Sequence, residues 1–82
     1  MSANLFIDSN IWLYAFTEDR KERHEIATRI IKDNKDDIVI SFQVINEVCF
    51  NLIRKAGFNE DMVEELIDGF YQSYRIIDQD KG

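Results

Sequence analysis

Apolar and polar positions follow two rhythms along this chain. Leu5-Phe6-Ile7 is a short unbroken apolar run that closes on Asp8, the pattern of a strand buried on both faces. Ser9 or Asn10 then offers an N-cap ahead of a helix through Ile11-Trp12-Leu13-Tyr14-Ala15-Phe16, because a short polar side chain can satisfy a free amide of the first turn. Ile26, Ala27, Ile30 and Ile31 recur at helical spacing and predict a second helix over about residues 19–33, with Asp19/Arg23 and Glu25/Arg29 spaced as i,i+4 ion pairs. Asn34 to Asp37 reads as a polar turn, and the β-branched Ile38-Val39-Ile40 as the clearest strand. Ser41 caps a third helix that runs to about residue 56, with Val44, Ile45, Val48, Cys49, Leu52, Ile53 and Ala56 on its apolar face and Gly57 at the C′ position. Asn59 caps a fourth, whose buried stripe is Val63, Leu66, Ile67, Phe70 and Tyr74. Arg75-Ile76-Ile77-Asp78 closes the pattern as a third short strand. The order β-α-α-β-α-α-β implies an α/β fold with a short parallel sheet of three strands, since strands separated by helix pairs pair in parallel through right-handed crossovers.

Composition narrows the function classes. At 82 residues the chain is expected to form a single domain over residues 1–82, small enough that its core buries only a modest share of its surface. No apolar run approaches the ~18 residues of a membrane span, and Met1-Ser2-Ala3-Asn4 lacks the basic start of a signal peptide. One cysteine builds no disulfide framework, so a cytoplasmic location is expected. A net charge of −6 argues against nucleic-acid binding by bulk charge alone. The charge is uneven, however. Residues 20–35 hold six of the ten Lys and Arg against three acids, while residues 59–82 hold seven acids against two bases. Arg20, Lys21 and Arg23 are therefore candidates for guiding a nucleic-acid phosphate, the rival reading being a solvated face with interleaved acids.

Open α/β sheets bind ligands beyond the carboxyl ends of their strands. Asp8 ends the first strand, where an acid adds nothing to the sheet, and Glu47 lies six residues past Ser41, roughly 9 Å along its helix at ~1.5 Å per residue. If the first two strands are neighbours, both carboxylates face one crevice. Their mutual repulsion would be relieved by a hard cation such as Mg²⁺, which needs only one or two protein carboxylates beside water and substrate phosphate. The plainer readings are a helix cap for Asp8 and an ordinary solvated glutamate for Glu47, on the side of Gln43, Asn51 and Arg54.

These residues also carry a resemblance. Leu5 to Phe16, centred on Ile7-Asp8-Ser9-Asn10, and Ile38 to Val48, ending on Asn46-Glu47-Val48, resemble the two opening signatures of the PIN domain, the fold of the VapC-type toxin ribonucleases. The resemblance implies a three-layer α/β/α domain in which Asp8 and Glu47 hold Mg²⁺ or Mn²⁺, Ser9 fills a small-hydroxyl position and Asn10 orients the first acid. It implies that a metal-bound water attacks an RNA phosphodiester, and that a cognate antitoxin protein silences the enzyme. It also places the third strand two positions from the first. The family pattern continues past this strand with further strands and two further acids. By that comparison the chain reads as truncated at its C-terminal side, with an incomplete active site and weak or absent activity. Asp78 and Asp80 are poor substitutes, since strand-end acids two strands apart are about 10 Å from one another and magnesium demands ligands at ~2.1 Å. The resemblance also leaves the first strand with an open apolar edge, which invites self-association or a protein partner. The alternative function is thus a catalytically inactive module acting through protein association.

The remaining candidates read as structural. His24 can lie against the face of Ala27 and Ile31, Cys49 belongs to a core face, and Phe70, Tyr71 and Tyr74 fit a helix better than a base-stacking platform. Asp8-Ser9-Asn10 lacks the second Asp of a haloacid-dehalogenase-type start, and the three glycines form no phosphate loop.

Overall fold

The computed structural model describes residues 4–77. Its elements run β1 (Leu5–Phe6), α1 (Ser9–Phe16), α2 (Lys21–Asp33), a 3₁₀ turn (Lys35–Asp37), β2 (Ile38–Ser41), α3 (Phe42–Ala56), α4 (Glu60–Ser73) and β3 (Arg75–Ile77). The three strands form one parallel sheet in the order β1-β2-β3. β3 therefore lies two positions from β1, as the resemblance implied.

Cap chemistry sets most of the element ends. The Ser41 side chain accepts from the Val44 amide and the Asn59 side chain from the Met62 amide, each satisfying an amide that the helix leaves free. Gly57 closes α3 at φ 72°, a left-handed conformation that a Cβ would strain. Asp8, rather than Ser9 or Asn10, caps α1, with its carboxylate accepting from the Asn10 amide. α2 begins at Lys21 with Arg20 at its cap position, so Asp19 stands outside the helix and the expected Asp19/Arg23 pair has no helical turn to form on. No Lys or Arg lies within 4.0 Å of a carboxylate among the described residues.

Alternation along the strands places Leu5, Ile7, Ile38, Ile40 and Ile76 on one face. That face meets the core, in which Ile7, Ile38 and Ile40 pack with Trp12 of α1, Ile31 of α2, Val48 and Leu52 of α3 and Phe70 of α4. All four helices thus lie on the same side, as two right-handed crossovers stepping in the same direction require. Trp12 is the keystone: Phe70 meets it edge-on at 5.0 Å between ring centroids and Tyr74 at 5.2 Å, while Phe16 stacks at 6.0 Å. These contacts tie α1 to the end of α4 across the sheet. The buried Trp12 indole N–H has no hydrogen-bond partner, which sets about 1–3 kcal/mol against the gain from burying the ring. On α3, Ile53 lies half exposed beyond the reach of this core, at 50%, so its apolar face ends one turn sooner than the spacing implied. No helix among the described residues is long and apolar enough to cross a membrane.

Candidate active site at the strand ends

The β1–β2 register pairs Leu5 with Ile38 and Phe6 with Val39. Continued by two residues, it sets Asp8 level with Ser41 at the carboxyl ends of neighbouring strands, whose axes are about 4.8 Å apart. Both residues are helix caps, so α1 and α3 start side by side and pack against each other. Asp8 thus stands at the head of α1 and Glu47 on α3, the helix that α1 packs against.

Asp8 is exposed. Its Oδ2 accepts the Asn10 amide at 3.0 Å, which fixes the carboxylate while using one of its two oxygens. Ser9 is half-buried in the first turn of α1, and Asn10 is exposed next to it. Glu47 is exposed on α3, and its backbone carbonyl accepts from the Asn51 side chain at 2.9 Å. Among the described residues no three His, Cys, Asp or Glu side chains gather into a group able to hold a metal ion. The donor set on offer is thus two hard carboxylates open to solvent. That suits an ion which keeps most of its waters and takes substrate phosphate, and does not suit a closed protein cage. Asp78 and Asp80 lie outside the described residues.

A groove of about 570 Å³ opens between α1 with its following loop and the second half of α3, and neither Asp8 nor Glu47 lines it. Asn10, two residues from Asp8, and Asn51, one turn from Glu47, both line it. So do Arg20, Arg23 and Lys55, together with Glu18 and Asp19. Of the three cations singled out from the sequence, Arg20 and Arg23 reach this groove and Lys21 does not. Arg23 is held there: its Nη1 donates to the Tyr14 hydroxyl at 2.7 Å, and its guanidinium carbon sits 5.2 Å from the centroid of the Tyr14 ring. His24 meets the Tyr14 carbonyl through Nδ1 at 3.1 Å, so it steadies the end of α1, in keeping with the structural role expected. Sequence patterning missed Tyr14 and Lys55, which no local spacing links to Asp8. Asn51 was legible only as a neighbour of Glu47 on a helical wheel.

Cys49 is buried in α3, and burial raises its thiol pKa above the ordinary value. It is a core side chain rather than a nucleophile, since the thiolate is the reactive form.

A family model described as PIN domain matches residues 5–79. No curated protein sequence matches the chain significantly.

Proposed function

The chain belongs to the PIN domain family, a nuclease-like family, and from that premise we propose that it is a metal-dependent endoribonuclease of the VapC toxin type. Asp8 and Glu47 hold Mg²⁺ or Mn²⁺, Ser9 and Asn10 support Asp8, and Arg20 and Arg23 contact RNA phosphate. The observation that carries this reading is Asp8 itself. A cap needs one acceptor oxygen, and here the cap is an exposed carboxylate with a second oxygen to spare, at the strand end where α/β sheets bind ligands.

When bound, a divalent ion supplies Lewis-acid polarisation of the phosphate and lowers the pKa of the attacking water. The chain's own residues do the rest. The Asn10 amide orients the Asp8 carboxylate, and the packing of α3 against α1 supports a role for Glu47 as the second acid. The guanidinium groups at the groove take the charge of the neighbouring phosphates. Two carboxylates with no cluster of three metal-capable groups among the described residues make for weak ion affinity, so slow turnover is expected. An RNA substrate goes with a cytoplasmic setting. Calorimetric titration with Mg²⁺ and with Mn²⁺ tests the site: saturable binding that Asp8→Asn abolishes is expected, and binding indifferent to Asp8 defeats the assignment. A cleavage assay on single-stranded RNA then reads turnover.

A second reading has its own observation. The outer edge of β1 is unpaired among the described residues, and Phe6 on that strand is 56% exposed. A free apolar strand edge is a template for another chain, so the module acts, on this reading, through self-association or by binding an antitoxin protein. Light scattering across a concentration series separates the two readings, because a strict monomer with RNA cleavage leaves only the first.

A further inference from the structure

We propose that the groove between α1 and α3 is a phosphate-binding subsite for single-stranded RNA, anchored by Arg23, which Tyr14 holds in position. The inference rests on the ribonuclease reading of the adjacent acids and extends it to how the strand is gripped.

Three features converge on it. First, Arg23 is preorganised. An exposed arginine ordinarily loses up to ~2 kcal/mol of rotamer freedom when it engages a ligand. Here the Tyr14 ring and hydroxyl already fix the guanidinium, at 5.2 Å and 2.7 Å. Second, the charge is unspent. The Tyr14 hydroxyl uses one guanidinium N–H, leaving four of the five donors, and no carboxylate lies within 4.0 Å of any Lys or Arg among the described residues. A fork of free donors on a rigid planar cation is the chemistry that recognises phosphate. Third, the lining has a direction. Asn10 is two residues from Asp8 and Asn51 one helical turn from Glu47, while Arg20, Arg23 and Lys55 outnumber Glu18 and Asp19 in the rest of the lining. A strand passing from the acids into the groove would bring a neighbouring phosphate toward Arg23 and Lys55, with the Asn10 side chain left to bond a ribose or a base edge. At about 570 Å³ the groove holds a nucleotide unit rather than a duplex.

A second hollow on the molecule supplies the control. It lies along α2, where Arg29 and Lys32 are balanced by Glu25 and Asp33, and it touches neither strand-end acid. It has cations in similar number but no net charge and no aromatic clamp.

The test is fluorescence anisotropy of a labelled eight-nucleotide oligouridylate, with EDTA present so that no divalent ion contributes, over a KCl series from about 20 to 200 mM. For Arg23→Ala, affinity at low salt is expected to fall about tenfold and the slope of log K against log salt to shrink by ~0.7, the value of one lost phosphate contact on a single strand. Tyr14→Ala is expected to approach the same loss, and the double variant to bind no worse than Arg23→Ala, because the tyrosine acts only through the arginine. Tyr14→Phe keeps the ring and the helix packing, and is expected to fall between wild type and Tyr14→Ala. Arg29→Ala is expected to match wild type within about twofold. Far-UV circular dichroism confirms that each variant is folded. Wild-type affinity and slope in Arg23→Ala overturn the subsite and leave the metal-site reading standing, as does preference for an RNA duplex. Additive losses from Tyr14 and Arg23 overturn the anchoring role. Absence of any RNA binding by the wild-type chain in EDTA overturns the subsite alone, since the ribonuclease reading stands or falls on the Mg²⁺ and Mn²⁺ titration with Asp8→Asn.

Discussion

The molecule contains the same junction twice, and the two copies differ in one telling respect. At β1–α1 and at β2–α3 a strand of the parallel sheet ends, one residue caps the next helix, and the helix turns back along the sheet. The β2–α3 cap is Ser41, buried at 3% exposure, whose hydroxyl accepts the Val44 amide at 3.2 Å. The β1–α1 cap is Asp8, exposed, whose carboxylate accepts the Asn10 amide at 3.0 Å. Both caps meet the same structural need. Serine does so with a single small oxygen that fits the interior. Aspartate brings a charge and a second oxygen that the helix does not require, and keeps them in water. Where one sheet solves one problem in two ways, the surplus in the second solution points to function.

The sharpest way to break this comparison is Asp8→Asn. Asparagine caps as well as aspartate, so the urea midpoint is expected to stay within about 0.5 kcal/mol of wild type. RNA cleavage is expected to fall by about 100-fold or more, since several kcal/mol of charge stabilisation is lost at ~1.4 kcal/mol per decade. A variant that keeps its activity, or one that loses stability and activity together, makes Asp8 a cap like Ser41. Glu47→Gln follows in size. Its side chain is exposed and its backbone carbonyl, already bonded to Asn51, is untouched by the change, so stability should again hold. Mn²⁺ affinity by calorimetry is expected to drop about 10–100-fold. An unchanged ion affinity returns Glu47 to the solvated helix face.

How far the sequence carried this picture depends on the range of each signal. Helix caps and C′ glycines act within a few residues, and Ser41, Gly57 and Asn59 were all readable from their neighbours. Asp8 shows the limit of that reading. Three consecutive polar residues, Asp8, Ser9 and Asn10, are each able to cap, and only the backbone angles of the chain leaving β1, φ −61° and ψ 148° at Asp8, select the first. The β1-β2-β3 order was foreseen through the family resemblance, since strand adjacency is a long-range property that no spacing encodes. The groove was the least legible part. Tyr14 and Arg23 are nine residues apart on two helices, and their contact depends on the angle of the loop between them. Arg20 and Arg23 were picked out for their charge, and Lys21 with them. Charge alone could not tell that Arg20 and Arg23 line the groove and Lys21 does not.

The buried copy of the junction makes the complementary prediction. Ser41→Ala removes the side-chain acceptor for the Val44 amide at a buried cap residue, and is expected to cost about 1–2 kcal/mol in urea denaturation. Ion binding at the Asp8 side should remain near wild type once the folded fraction is accounted for. If Ser41→Ala instead abolishes Mn²⁺ binding while the protein stays folded, the two junctions are not divided into structural and functional copies, and Ser41 joins the site.

The smallest effect expected is one of pH, and it again sets interior against crevice. Burial raises the pKa of Cys49 above its ordinary 9.0 and that of Tyr74 above its ordinary 10.0, so the folded chain holds these two protons where the unfolded chain releases them. With the native state binding more protons, stability falls as pH rises. The contribution of Cys49 is fully present below its unfolded pKa near 9.0 and is lost as pH climbs through the raised folded value, with Tyr74 following the same course from 10.0. The urea midpoint is expected to be level from pH 7 to 8.5 and to decline by pH 10, and Cys49→Ala should flatten the first part of that decline. Because both groups lie in the helical layer and neither lines the groove, RNA affinity per folded molecule should not follow the same curve. An affinity that tracks the Cys49 titration would mean that the core and the strand ends are coupled, against the division that the two junctions draw.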